Sequence, residues 1–74
     1  MSPNNIAGNL RRIRLRQNLS QTELAELAGC QRAAVSNIEN QARLGSLALL
    51  CDLAEALGVT VDNLLASTRK RETR

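Results

Sequence analysis

Seventy-four residues with 43% hydrophobic content can build one folded domain, with no room for a second core, and the absence of Phe, Trp and Tyr leaves only aliphatic side chains to fill it. The same absence excludes an aromatic base-stacking platform of the kind single-strand binders use. The net charge of +3 hides an asymmetry: residues 1–22 hold four Arg and no acid, residues 23–62 hold six acids against Arg32 and Arg43, and the chain turns basic again in STRKRETR, a layout that can present one positive face to a polyanion.

The apolar spacing is helical throughout, with no sustained alternation that would favour strands. In IAGNLRRIRLRQ, Ile6, Leu10 and Ile13 recur at i, i+4 and i+7, giving one buried face, with Asn4 or Asn5 available as N-cap and Asn18 as a left-handed stop. The next helix opens on SQTE, where Ser20 and Glu23 form a capping box, and Leu24, Leu27 and Ala28 are expected to face inward. Gly29 ends it by tolerating positive φ. Cys30 then plugs the turn, and RAAVSNIEN makes about two further turns. Val35 and Ile38 give that third helix a narrow apolar stripe, with Arg32, Ala33, Ser36 and Asn37 off it.

QARLG is the following loop. Ser46 can cap a fourth helix, in which Leu47, Leu50, Cys51, Ala54 and Leu57 are predicted to face inward, and Gly58 stops it. Thr60 can cap a last short helix, VDNLLA, packing through Leu64 or Leu65. The expectation is an all-α five-helix domain over residues 1–66, followed by a basic tail over 67–74 with no apolar anchor.

Cys30 and Cys51 lack the CxxC pairing or the His partners of a zinc site, and the chain has no His, so both are read as buried free thiols and no metal or cofactor is expected. No stretch of the sequence is apolar for long enough to read as a signal peptide or a membrane helix, and the reading is of a soluble, cytoplasmic protein. An enzyme is not expected either: there is no His, no nucleophile–base pair and no glycine-rich phosphate loop.

LSQTELAELAG, then VSNIEN, then SLALLCDLAEALGVTVDNLL resemble, in order and spacing, the phage-repressor or Cro-like helix-turn-helix family, also called XRE. The likeness runs from about Leu10 to Leu65. It implies a lambda-repressor-like fold whose second and third helices form the helix-turn-helix, the first bracing the second in the major groove. It further implies that Arg32, Ala33, Ser36 and Asn37 face base edges. Arg32 suits guanine O6 and N7 or a phosphate, Asn37 an adenine, and the Ala33 methyl a thymine. Gln21, Gln31, Asn40 and Arg43 would lie along the phosphates. Gln31 stands where Ser or Thr commonly caps, Gln41 where Gly is common and Gly45 where Pro is common. Arg14 and Glu39 would pair with each other as a structural tie.

The implied function is a sequence-specific, double-stranded DNA-binding regulator, a repressor acting as a homodimer on a palindromic operator. Leu15, Leu44 and Leu49, which fall outside the assigned stripes, are candidates for the dimer surface. The alternative is a protein-interaction module, such as an antitoxin or adaptor with a protein partner, using the same fold with little base reading.

Overall fold

The computed structural model describes residues 6–42 and 45–65. They form five helices: α1 (Ile6–Arg16), α2 (Gln21–Ala28), α3 (Arg32–Glu39), α4 (Leu47–Leu57) and α5 (Val61–Leu65). The described residues are all-helical, as expected. The proposed caps at Asn4 or Asn5, the loop residues Arg43 and Leu44, and the tail over 67–74 lie outside the described residues. Among those described, no helix is long and apolar enough to cross a membrane, and no group of His, Cys, Asp or Glu could hold a metal ion.

One stop signal is used four times. The left-handed residue is Asn18 after α1, Gly29 after α2, Gln41 after α3 and Gly58 after α4, with φ of 60°, 75°, 64° and 74°. In each case the amide one residue further on reaches back five positions: Leu19 to the Arg14 carbonyl, Cys30 to Ala25, Ala42 to Asn37 and Val59 to Ala54, at 2.8–3.1 Å. This closure satisfies carbonyls that the helix end would otherwise orphan. It also folds Leu19, Cys30 and Val59 back against the core. At the start of α2 the capping box is complete: the Glu23 amide donates to Ser20 Oγ at 3.0 Å and the Ser20 amide to Glu23 Oε1 at 2.8 Å. Ser46 caps α4 through the Leu49 amide, and Thr60 caps the α5 start through the Asn63 amide.

The core consists of Ile6 and Leu10 from α1, Leu24 and Ala25 from α2, Val35 and Ile38 from α3, Leu50, Leu53, Ala54 and Leu57 from α4, and Leu64 from α5. Ile13 is only half-buried at its edge. Two predicted faces are rotated. In α2 the inward residues are Leu24 and Ala25; Leu27 is 62% exposed, and Ala28 is half-buried. This helix packs against both α3 and α4, and its small residues, rather than its second leucine, sit where the neighbours approach.

In α4, Leu47 is 68% exposed and Cys51 is exposed, while Leu53 is fully buried. The run LALLCDLAEAL carries two stripes of helical period. Contact with α2 and α5 selects the one through Leu50, Leu53, Ala54 and Leu57. The expectation of two buried thiols is corrected accordingly: Cys30 is half-buried, Cys51 is not buried at all.

Two amides stitch the layers together. Asn9, 1% exposed on the inner stripe of α1, donates through Nδ2 to the Leu64 carbonyl at 2.8 Å, and Gln17 Nε2 donates to the Leu57 carbonyl at 2.7 Å. Both bonds bring α1 onto the C-terminal helices, and both use carbonyls near helix ends that lack an intrahelical donor.

Two outcomes follow. Gln41 pays the steric penalty of left-handed backbone that a glycine avoids, so Gln41→Gly raises unfolding free energy by about 0.5–1 kcal/mol after the entropy of glycine is subtracted. Urea denaturation followed by circular dichroism checks this, and an unchanged or lower midpoint would contradict it. Burial, and secondarily the nearby Asp52 carboxylate, push the Cys30 thiol up from its ordinary range. Iodoacetamide at pH 8 therefore alkylates Cys51 well before Cys30, on the order of tenfold faster, as intact-mass time courses would show; equal rates would count against the assigned burial.

Candidate nucleic-acid interface

Helix α3 is eight residues long and holds to the domain by only two fully buried side chains, Val35 and Ile38. Two apolar contacts three residues apart fix a helix against rolling less firmly than a broad face does. The additional restraint comes from its last residue. Arg14 on α1 grips the Glu39 carboxylate with both edges of its fork, Nε to Oε2 at 2.6 Å and Nη2 to Oε1 at 2.9 Å. The remaining arm, Nη1, donates to the Leu19 carbonyl in the α1–α2 connection at 2.7 Å. Gln21, the first residue of α2, adds a third donor to Glu39, Nε2 to Oε1 at 3.1 Å.

Three segments thus meet at one carboxylate, α1, the start of α2 and the end of α3, and Arg14 ties in the loop after α1. The two charged side chains are 9% and 3% exposed, so solvent screens the pair weakly. The hydrogen bond to Glu39 raises the Arg14 pKa from an already high value, burial opposes it and the Glu39 charge adds to it, so the guanidinium stays cationic at any working pH.

The far side of α3 carries what the clamp leaves free. Arg32 and Ala33 are exposed; Ser36 and Asn37 are half-buried beside them. By helical geometry these four residues occupy the arc away from Val35 and Ile38. Among the described residues Arg32 has no charged partner, the only ion pair being that of Arg14 with Glu39. Gln31 occupies the N-cap position of α3 with extended backbone but makes no side-chain cap bond, and it is exposed. The first amides of α3 therefore lack a capping side chain, and a helix start in that state presents donors and the positive end of the dipole.

Asn40 is exposed and donates through Nδ2 to Ser36 Oγ at 3.2 Å, tying two candidate contact residues together. Gln21 is half-buried with its amide engaged on Glu39, so its side chain acts first within the clamp. The capping box, which places Gln21 at the first helical position, is the sequence signal that could have found this. Arg43 lies outside the described residues.

A groove of about 280 Å³ runs along the edge of this face, between α3 and the entry to α4, and is lined by Ala33, Asn37, Ile38, Gly45 and Leu49 among others. Gly45 sits at φ 78°, which the proline ring cannot adopt, so the chain enters α4 here by a path closed to the residue common at this point. A Cβ at Gly45 would lie 2.8 Å from Leu49 Cδ2. Leu49 is half-buried against the core and walls the groove, so it is not a free surface leucine; Leu15 is 52% exposed.

A helix brought to the surface with one side clamped and the other polar matches a family model described as helix-turn-helix over residues 10–64. The control protein C.SmaI of Serratia marcescens is 40% identical over 60 residues, covering 81% of this chain and 71% of that protein. The restriction-modification controller protein C.AhdI of Aeromonas hydrophila superposes with a TM-score of 0.79 at 34% identity, over 82% of this chain and 92% of that one. The N-terminal DNA binding domain of SinR from Bacillus subtilis gives a TM-score of 0.80 at 29% identity, over 88% and 96%. With α2, the left-handed turn at Gly29 and α3 in place, and the matched region spanning most of its length, the chain belongs to the helix-turn-helix family.

Proposed function

We propose that this DNA-binding transcriptional regulator of the helix-turn-helix family reads double-stranded DNA by laying α3 in the major groove, as a homodimer on a palindromic operator that it represses. The observation that carries the reading is the outer face of α3: Arg32, without a charged partner among the described residues, at a helix start whose cap position makes no side-chain bond. Such a face is built for base edges and phosphates.

Arg32 reads guanine through O6 and N7, and Asn37 pairs with adenine through N6 and N7. Ala33 offers a methyl beside the groove that it lines with Leu49, suited to thymine. Ser36 contributes a hydroxyl from the same face. Gln21, Gln31, Asn40 and Arg43 set the register on the backbone, Gln21 through the amides at the α2 start as well as its side chain. Two α3 helices about 34 Å apart would read two half-sites, which one short helix cannot do alone. That C.AhdI and C.SmaI are controller proteins supports a regulatory role of this kind. A pure protein-interaction module is disfavoured by the same unneutralised Arg32.

Selection of binding sites from random duplexes, followed by mobility shift across a salt series, tests the reading. Log affinity falls with log salt at about −0.9 per neutralised phosphate, with two chains bound per full site. Arg32→Ala costs about 1–3 kcal/mol and relaxes preference at one base pair, whereas Arg43→Ala weakens all sequences alike. Equal binding of selected and random duplexes at moderate salt would overturn it.

A further inference from the structure

On the opposite side of α1 from the clamp lies a second polar groove, of about 370 Å³, lined by Arg12, Ile13, Arg16, Gln17, Val59 and Asn63. Arg12 and Arg16 are one turn apart on one stripe. Arg14 is two residues from each and hence about 160° around the helix, so the stripe faces away from α3 and towards α5.

The groove has a donor-rich rim. Arg12 is held in place: its Nη2 donates to Asn9 Oδ1 at 2.5 Å, and the buried Asn9 is itself anchored on the Leu64 carbonyl. The Arg16 side chain makes no hydrogen bond or ion pair with any described residue, and no acid among the described residues neutralises either arginine. Asn63 is oriented by its oxygen, which accepts from the Thr60 amide and the Thr60 hydroxyl, both at 3.0 Å. Its Nδ2 group has no acceptor among the described residues, and Asn63 lines the groove. Gln17 is fixed likewise by its bond to the Leu57 carbonyl. Beneath them Ile13 and Val59, half-buried against the core, supply an apolar floor.

Two cations, one of them preorganised, and an amide held through its oxygen line one groove with Ile13 and Val59, in a volume of the size that binds small ligands. We propose that this groove is an anion site separate from the α3 surface, taking a small molecule that carries a carboxylate or phosphate on a compact apolar body. The donors hold the oxyanion, and Ile13 and Val59 take the body. A duplex lying on α3 would not occupy it, because the stripe points the other way around α1.

The test is an NMR titration of the full chain with inorganic phosphate, acetate and isovalerate, ionic strength being held constant with chloride. The Asn63 side-chain amide and the Arg16 Nε–H shift saturably, with Kd on the order of 1 mM. Isovalerate binds at least threefold tighter than acetate and moves the Ile13 and Val59 methyls. Asn63→Asp keeps the oxygen that accepts from Thr60 but places a negative charge at the rim, so it weakens the anion at least tenfold while leaving the Tm unchanged and duplex affinity within about threefold. Arg16→Gln weakens it similarly. The shifts persist when the protein is saturated with duplex DNA, which separates a free anion from a backbone phosphate. Non-saturating shifts spread equally over Arg11, Arg16 and Arg32, competition by the duplex, or an unchanged Kd in Asn63→Asp would each overturn the proposal.

Discussion

The Glu39 carboxylate is the point on which the geometry of the domain depends. It terminates the helix proposed to read DNA, and it is gripped by a bidentate arginine from α1 and an amide from the first residue of α2. The same arginine holds the Leu19 carbonyl, so the path from α1 into α2 is set by the group that sets the end of α3. A buried ion pair is a weak source of net stability, since desolvation offsets much of the Coulomb gain. Its value here is directional. Val35 and Ile38 alone would allow α3 to roll; a planar fork on a planar carboxylate does not. Base reading tolerates little error in helix pose, and the most constrained polar contact sits at the far end of the helix proposed to do it.

The rest of the fold supplies a rigid frame at small size. With only aliphatic side chains in the core and α2 and α3 of eight residues each, stability has to come from well-terminated helices as well as from packing. Four helices close by the same left-handed stop, and three of those stops return an apolar residue to the core. The Asn9 and Gln17 amides add cross-links to carbonyls near the ends of α5 and α4. Polar contacts thus gather along α1, which braces α3 on one side and α5 on the other. That central position explains how one helix can serve the clamp through Arg14 and a second polar groove through Arg12 and Arg16.

What the sequence made legible was local chemistry. The capping box at Ser20 and Glu23, the left-handed stops at Asn18, Gly29 and Gly58, and the narrow stripe of α3 each depend on residues a few positions apart, and all are present. The faces of α2 and α4 were less legible. Leu27 and Cys51 fit a helical period as well as Ala25 and Leu53 do, and only the approach of neighbouring helices decides between them. The role of Asn9 is not legible in the sequence, because an amide on an apolar stripe declares a partner without naming it; the Leu64 carbonyl lies 55 positions away. The same holds within the proposed site. The outer arc of α3 follows from its period, whereas the engagement of Gln21 with Glu39 and of Asn40 with Ser36 requires the folded chain.

If the clamp on Glu39 sets the pose of a DNA-reading helix, loosening it must cost sequence discrimination. The most direct measurement is the affinity of Glu39→Gln for a selected duplex and for a random one, with folding verified by circular dichroism. Removing an acid lowers repulsion from phosphates, so electrostatics alone would raise both affinities. A loosened α3 gives the opposite for the selected site: its affinity falls while random binding holds or rises, so the ratio drops by about tenfold or more. A ratio that stays constant in a folded variant would contradict it.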